Sequence, residues 1–163
     1  MNEAEEFLVA ELVRRGARIA TAESLTAGQL AATIANVPGA SATLAGGLVS
    51  YNNDIKHRLL NVDDALLSTH GAVCADVARQ MAEGAAAQFN VDYALSTTGV
   101  AGPEPHQGKA VGTVFIGIHT PEGSWAEEYN FTGNRDQIRQ ATVVSALALL
   151  VRELTGSSSQ ARL

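Results

Sequence analysis

Ser24 lies in the run Ala22-Glu23-Ser24-Leu25-Thr26-Ala27-Gly28, between the short apolar stretch Arg18-Ile19-Ala20-Thr21 and the amphipathic stretch from Gln29 to Asn36. This order puts a hydroxyl where a strand hands over to a helix. The unpaired amides of a first helical turn can hold an anion or a developing oxyanion beside such a hydroxyl, so the run can serve a nucleophile or a phosphate site. The same residues also fit a plainer role, because Ser and Thr are common helix caps.

Two further runs carry residue types that complement a serine. In Gly46-Gly47-Leu48-Val49-Ser50-Tyr51-Asn52-Asn53-Asp54-Ile55-Lys56, the glycines inside a strand signal close backbone approach or a bulge, and Tyr51 and Lys56 stand at the strand end and about one helical turn later. Lys56 can bind a phosphate, or take a proton from Ser24 if burial and a cationic neighbour bring its pKa down. A surface lysine beside a core tyrosine satisfies the same pattern. Thr97-Thr98-Gly99-Val100-Ala101-Gly102-Pro103 ends a strand in a glycine-rich turn whose amides can form an anion-binding nest, or merely reverse the chain. It has neither the G-x-G-x-x-G spacing of a dinucleotide fold nor the G-K-[ST] ending of a phosphate-binding loop.

His57, His70, His106 and His119 stand in no triad order with a carboxylate, and none is expected to be the base. Cys74 opens a helix near Ala75; its expected role is a small buried residue near a cap. With a single cysteine, no C-x-x-C pair and no H-E-x-x-H helix, neither an internal disulfide nor a metal site is expected.

The elements that must position these groups alternate. Strand signals fall at about 18–23, 43–51, 92–98, 111–119 and 124–131, and helix signals at 3–15, 29–36, 76–89 and 136–154. The expected fold is a three-layer α/β/α sandwich on a mixed, mostly parallel sheet. Pro121-Glu122-Gly123-Ser124 is too short for a crossover helix, so 111–131 reads as an antiparallel hairpin. In such sheets ligands gather beyond the carboxyl ends of strands, which brings Glu23 to Gly28, Ser50 to Lys56, Thr97 to Pro103 and the loop Glu104 to Lys109 to one rim. The helix from Asp136 to Leu154 is apolar around most of its circumference, which requires cover on two sides, within the chain or from another copy; a homo-oligomer is the expectation.

The 163 residues fit one domain, expected over 1–155 with a polar tail at 156–163, and a domain of this size buries about 70% of its unfolded surface. A net charge of −6, with only 11 Lys and Arg and no basic stripe, argues against nucleic acid as a partner. The acidic start Met1-Asn2-Glu3-Ala4-Glu5-Glu6 is unlike a signal peptide, and no apolar run approaches the ~18 residues of a membrane span, so a cytoplasmic protein without membrane partners is expected.

Taken as a set, these runs resemble the CinA C-terminal domain family, whose stand-alone members, of the PncC type, are nicotinamide-nucleotide amidohydrolases. The resemblance rests on Ala22 to Gly28, Val37-Pro38-Gly39-Ala40-Ser41, Gly46 to Lys56, His70-Gly71-Ala72-Val73, Thr98 to Pro103, Val111-Gly112-Thr113-Val114 and Phe131-Thr132-Gly133-Asn134-Arg135, in the family's order. It implies hydrolysis of the carboxamide of nicotinamide mononucleotide to nicotinic acid mononucleotide and ammonia, with a small-molecule nucleotide as partner and without metal or cofactor. It also implies that the pyrophosphatase activity carried by a separate domain in some members is absent. The catalytic set would be Ser24 as nucleophile, Lys56 as base and Tyr51 relaying or orienting the proton. Glu23, Thr26 and Gly28, with Thr98, Gly99, Ala101 and Gly102, would line the substrate, and Arg135 and Arg139 would hold its phosphate. Amides near Thr26 to Gly28 or Thr98 to Gly99 would face the oxyanion.

The chain departs from the family pattern at three places. Ala27 stands where glycine is usual, Glu104-Pro105-His106-Gln107-Gly108 stands where glycines often follow Gly102-Pro103, and Cys74 stands where serine is common. Glu104 brings a negative charge toward a pocket expected to take a phosphate. Two other readings stay open at this point: an amidohydrolase for a different amide-bearing nucleotide, and a domain that binds a nucleotide without turning it over.

Overall fold

A computed structural model of the chain describes residues 2–156. Residues 157–163 of the expected tail lie outside the described residues. The elements follow in the order α1 (Glu3–Arg15), β1 (Ile19–Glu23), α2 (Gln29–Ala35), β2 (Leu44–Val49), α3 (Asn53–Leu60), α4 (Asp64–His70), α5 (Ala75–Phe89), β3 (Tyr93–Gly99), β4 (Thr113–Thr120), β5 (Gly123–Asn130) and α6 (Arg135–Leu154).

The five strands form one sheet in the order β2-β1-β3-β4-β5. β1 runs parallel to both β2 and β3, while β3 with β4 and β4 with β5 are antiparallel, so four strands point one way and β4 alone opposes them. The expected hairpin is β4 and β5, closed at Thr120 and Gly123.

The alternation of side chains along the strands divides the core by size. Ile19, Leu95, Val114, Ile116 and Ile118 face a layer made by α1, α2 and α6, where Leu8, Leu12, Leu30, Ile34, Ile138 and Leu150 are buried. The opposite face carries Ala20, Ala22 and Ala94, against Leu60, Val62, Leu67, Val77 and Met81 of the layer of α3 to α5. Small side chains let α5 come down close on the sheet. Ser96 Oγ donates to the carbonyl of Ala78 at 2.5 Å, and a Cβ on Gly117 would stand 2.1 Å from that same oxygen. Most of the apolar circumference of α6 is met within the chain, by α1, α2, β3 and β4, while Val144 is left exposed.

The glycine pair in β2 does both things its sequence position suggests. A Cβ on Gly46 would stand 2.6 Å from the ring of Phe89, one on Gly47 2.3 Å from Thr21 Oγ1, and the β1–β2 register shifts between Ile19 and Ala20. Among the described residues no helix is long and apolar enough to cross a membrane.

Candidate active site

Ser24 is fixed by its neighbours on both sides of the sheet. Its amide donates to the carbonyl of Thr97 at 3.0 Å, continuing the β1–β3 ladder by one residue, and the Ser50 amide donates to the carbonyl of Glu23 at 2.8 Å. The chain then turns, with the Ala27 amide donating to the carbonyl of Ser24, through Ala27 and Gly28 at φ of 47° and 96°.

The helix-cap role open to Ser24 and Thr26 is taken by another residue. The N-cap position of α2 is Gly28, which has no side chain to offer. In its place the buried Glu23 carboxylate accepts the amides of Leu30 at 2.7 Å and Ala31 at 3.1 Å, and the hydroxyl of Thr26 at 2.6 Å. A negative charge is well placed against the N-terminal end of a helix. Glu23 is therefore a support beneath the turn rather than a wall of the site. Thr26 is equally buried, its hydroxyl 2.8 Å from that of Thr97.

Lys56 comes from α3, which Asn52 starts by accepting the Asp54 amide at 2.7 Å. One turn into the helix its side chain runs inward and is 1% exposed. Its Nζ donates to Ser24 Oγ at 3.1 Å and to the carbonyl of Tyr51 at 3.3 Å. Among the described residues no carboxylate pairs with this amine. Burial lowers its pKa from 10.5 to about 8. The expected cationic neighbour has no part in the shift, which burial alone causes.

Ser24, Tyr51, Lys56, Thr98, Gly99, Ala101, Gly102 and Arg135 share the wall of one cleft of about 420 Å³, within the size range of small-molecule sites. Glu104, Pro105 and His106 complete one side of it. Ala72, Val73 and Asn53 also contribute; Asn53 belongs to the expected segment Ser50 to Lys56, whereas Ala72 and Val73 lie outside the four segments expected at the rim. The signal for these two was His70-Gly71-Ala72-Val73, and their place is secured by Thr98 Oγ1 donating to the carbonyl of Ala72 at 2.8 Å.

Four expected substrate contacts lie off this wall: Glu23, Thr26, Gly28 and Arg139. Arg139 holds the serine turn from behind, donating to the carbonyls of Leu25 at 2.9 Å and Thr26 at 3.4 Å. The Tyr51 hydroxyl bonds neither Ser24 nor Lys56. It accepts from Arg135 Nη2 at 2.9 Å, while Arg135 Nη1 donates to the carbonyl of Gly102 at 2.6 Å, so Arg135 joins two of the segments that line the cleft.

The amide donors also shift from their expected places. Thr98 and Gly99 belong to the β3–β4 ladder, opposite Phe115 and Val114. Gly99 is needed for closeness, a Cβ there standing 2.7 Å from Val114, whereas Gly102 has the positive φ of 85°. The amides of Leu25 and Thr26 in the first segment, and of Ala101 and Gly102 in the third, have no acceptor among the described residues. An amide directly after a nucleophile is a recurrent oxyanion donor.

A sequence profile described as the CinA C-terminal domain matches residues 1–154. The chain belongs to the CinA C-terminal domain family. A CinA-like protein of Frankia casuarinae is 45% identical over 152 residues, which are 93% of this chain and 35% of that protein. One of Geobacter sulfurreducens is 47% identical over 148 residues, 90% of this chain and 36% of the relative. The chain thus spans about a third of the length of these curated relatives.

Among solved structures, a CinA superfamily protein of Klebsiella pneumoniae superposes with a TM-score of 0.91 at 29% identity, covering 96% of this chain and 99% of its own. The competence/damage inducible protein CihA of Agrobacterium tumefaciens gives 0.85 at 33% identity, covering 95% and 98%. The CinA domain is therefore the whole of what the described residues build, and its strand ends carry the cleft around Ser24 and Lys56.

Proposed function

We propose that this CinA domain is an amidohydrolase that converts the carboxamide of nicotinamide mononucleotide to the carboxylate, releasing ammonia, with Ser24 as nucleophile and Lys56 as base. The observation that carries the reading is the 3.1 Å contact between Ser24 Oγ and a buried Lys56 Nζ that has no carboxylate partner. Burial raises the fraction of Lys56 that is neutral near physiological pH, and that neutral form can accept a proton from a hydroxyl, whereas an ion-paired lysine is held protonated.

In the first half-reaction neutral Lys56 takes the Ser24 proton as Oγ attacks the carboxamide carbon. The carbonyl oxygen becomes an oxyanion, for which the unpaired amides of Leu25 and Thr26 are the nearest candidates in the chain, with those of Ala101 and Gly102 across the cleft. The carbon–nitrogen bond then breaks, protonated Lys56 returns the proton to the departing nitrogen, and ammonia leaves an ester on Ser24. In the second half, water loses a proton to Lys56 and adds to the ester carbon. Ser24 leaves with that proton, and the product acid separates. Tyr51 acts through Arg135, which it holds at the cleft, rather than as a link in the proton path.

Ammonia release from nicotinamide mononucleotide, measured for wild type and Ser24→Ala with and without a chelator, tests the reading. The expected result is activity that chelation leaves intact and that Ser24→Ala reduces by at least about 1000-fold. Near-wild-type release by Ser24→Ala overturns the covalent mechanism.

A further inference from the structure

The cations of the cleft wall are held in place by neutral acceptors, whereas its one carboxylate is held by nothing among the described residues. Arg135 uses both terminal nitrogens on Gly102 and Tyr51, Arg139 stays behind the serine turn, and Lys56 is buried against Ser24. Glu104 stands on the cleft wall, exposed, with no hydrogen bond or ion pair to any described residue. An entering dianionic phosphate therefore meets an unpaired negative charge. The pyridinium ring and sugar hydroxyls are common to the nucleotide and its riboside, so at that carboxylate the phosphate alone distinguishes the two.

We propose that Glu104 weakens the hold of the cleft on a carboxamide nucleotide relative to the same compound without its phosphate, and so tunes the charge preference of the site. The proposal rests on the amidohydrolase reading for its kinetic form, but the preference itself is a property of binding. Repulsion between one carboxylate and a doubly charged phosphate several ångströms away, across water at the mouth of a cleft, corresponds to about a three- to tenfold difference in affinity. It is screened by salt over about 8 Å at physiological ionic strength.

The test compares KM for nicotinamide mononucleotide with KM for nicotinamide riboside, in wild type, Glu104→Gln and Glu122→Gln. Glu122 lies in the β4–β5 turn, at the opposite end of the sheet from Ser24, and serves as a control for net charge. In Glu104→Gln the ratio of nucleotide KM to riboside KM should fall about three- to tenfold at low salt, with the difference shrinking as salt is raised. Glu122→Gln should leave the ratio where it was. An unchanged ratio in Glu104→Gln, equal changes for both compounds, or a change indifferent to salt overturns the proposal. If wild type releases ammonia from neither compound, the amidohydrolase reading fails separately, and calorimetric Kd values for the same two compounds read the preference directly. A Kd ratio that Glu104→Gln does not move, or no binding of either compound, overturns it.

Discussion

Lys56 Nζ sits 3.1 Å from Ser24 Oγ at the end of a side chain that is 1% exposed, across 32 residues of sequence. Parallel pairing of β1 with β2 brings the two together, because each strand hands over to its helix at the same edge of the sheet. The lysine's chemistry follows from where it lies. The protein has removed water from an amine without supplying a counter-charge, and the neutral form gains accordingly.

The rate should therefore follow the neutral fraction of Lys56. Its pKa is brought down to about 8 by burial. Below that value kcat/KM should rise about tenfold per pH unit, levelling above it. Ammonia release measured from pH 6 to 10 checks this, and a profile that is flat between 6 and 8 removes Lys56 as the base.

The same burial costs stability, with a sign that can be worked out. Below pH 8 both the folded and unfolded chains hold the Lys56 proton, and the folded chain carries the full burden of a buried charge. Between pH 8 and 10.5 the folded chain has released a proton that the unfolded chain still binds, so this group makes stability rise with pH across that window. The span corresponds to about 3 kcal/mol at most. Lys56→Met should accordingly be inactive yet more stable than wild type at pH 7, by up to about 3 kcal/mol, with the gap narrowing by pH 10. Tyr129, pushed up to about 12 chiefly by burial, is common to both proteins and cancels in the comparison. Denaturant melts of the pair at the two pH values decide it; a Lys56→Met variant less stable at pH 7 contradicts the argument.

Ala27 is strained for the sake of the turn. It is exposed, so its methyl packs against little, and it holds φ of 47°, a left-handed conformation that costs a residue with a Cβ roughly 1 kcal/mol. Ala27→Gly removes that strain and adds some freedom to the unfolded chain. The expected net gain is about 0.5–1 kcal/mol, or a Tm rise of about 1–4 °C, measured by thermal unfolding. A lower Tm would mean that the methyl makes a contact worth more than the strain.

The strand ends, the hairpin and the gathering of Ser24, Lys56 and the glycine turn were legible because each follows from local pattern and the handedness of α/β connections. Glu23 and Arg139 were not. Their residue types suit a ligand, but their partners are the amides of Leu30 and Ala31 and the carbonyls of Leu25 and Thr26, which only the folded turn presents. Gly99 and Gly102 look alike in sequence, yet one answers to the nearness of Val114 and the other to a positive φ. The lowered pKa of Lys56 was conditional in the sequence on burial, which the pattern of α3 alone could not fix.

Tyr51 separates proton relay from positioning. Its hydroxyl accepts from Arg135 at 2.9 Å and its carbonyl accepts from Lys56, so a phenylalanine keeps the lysine contact and loses only the bond to Arg135. One hydrogen bond to a charged group is worth about 1.5–3 kcal/mol, and less where, as here, Arg135 is exposed and water can replace the lost acceptor. Tyr51→Phe should raise KM for the nucleotide by about three- to tenfold, lower kcat by less than that, and leave the pH midpoint of kcat/KM near 8. A proton relay would behave otherwise, with kcat falling by about 100-fold or more and the pH midpoint displaced. Steady-state kinetics of the single variant across pH distinguishes the two, since only loss of a relay moves kcat and the midpoint together.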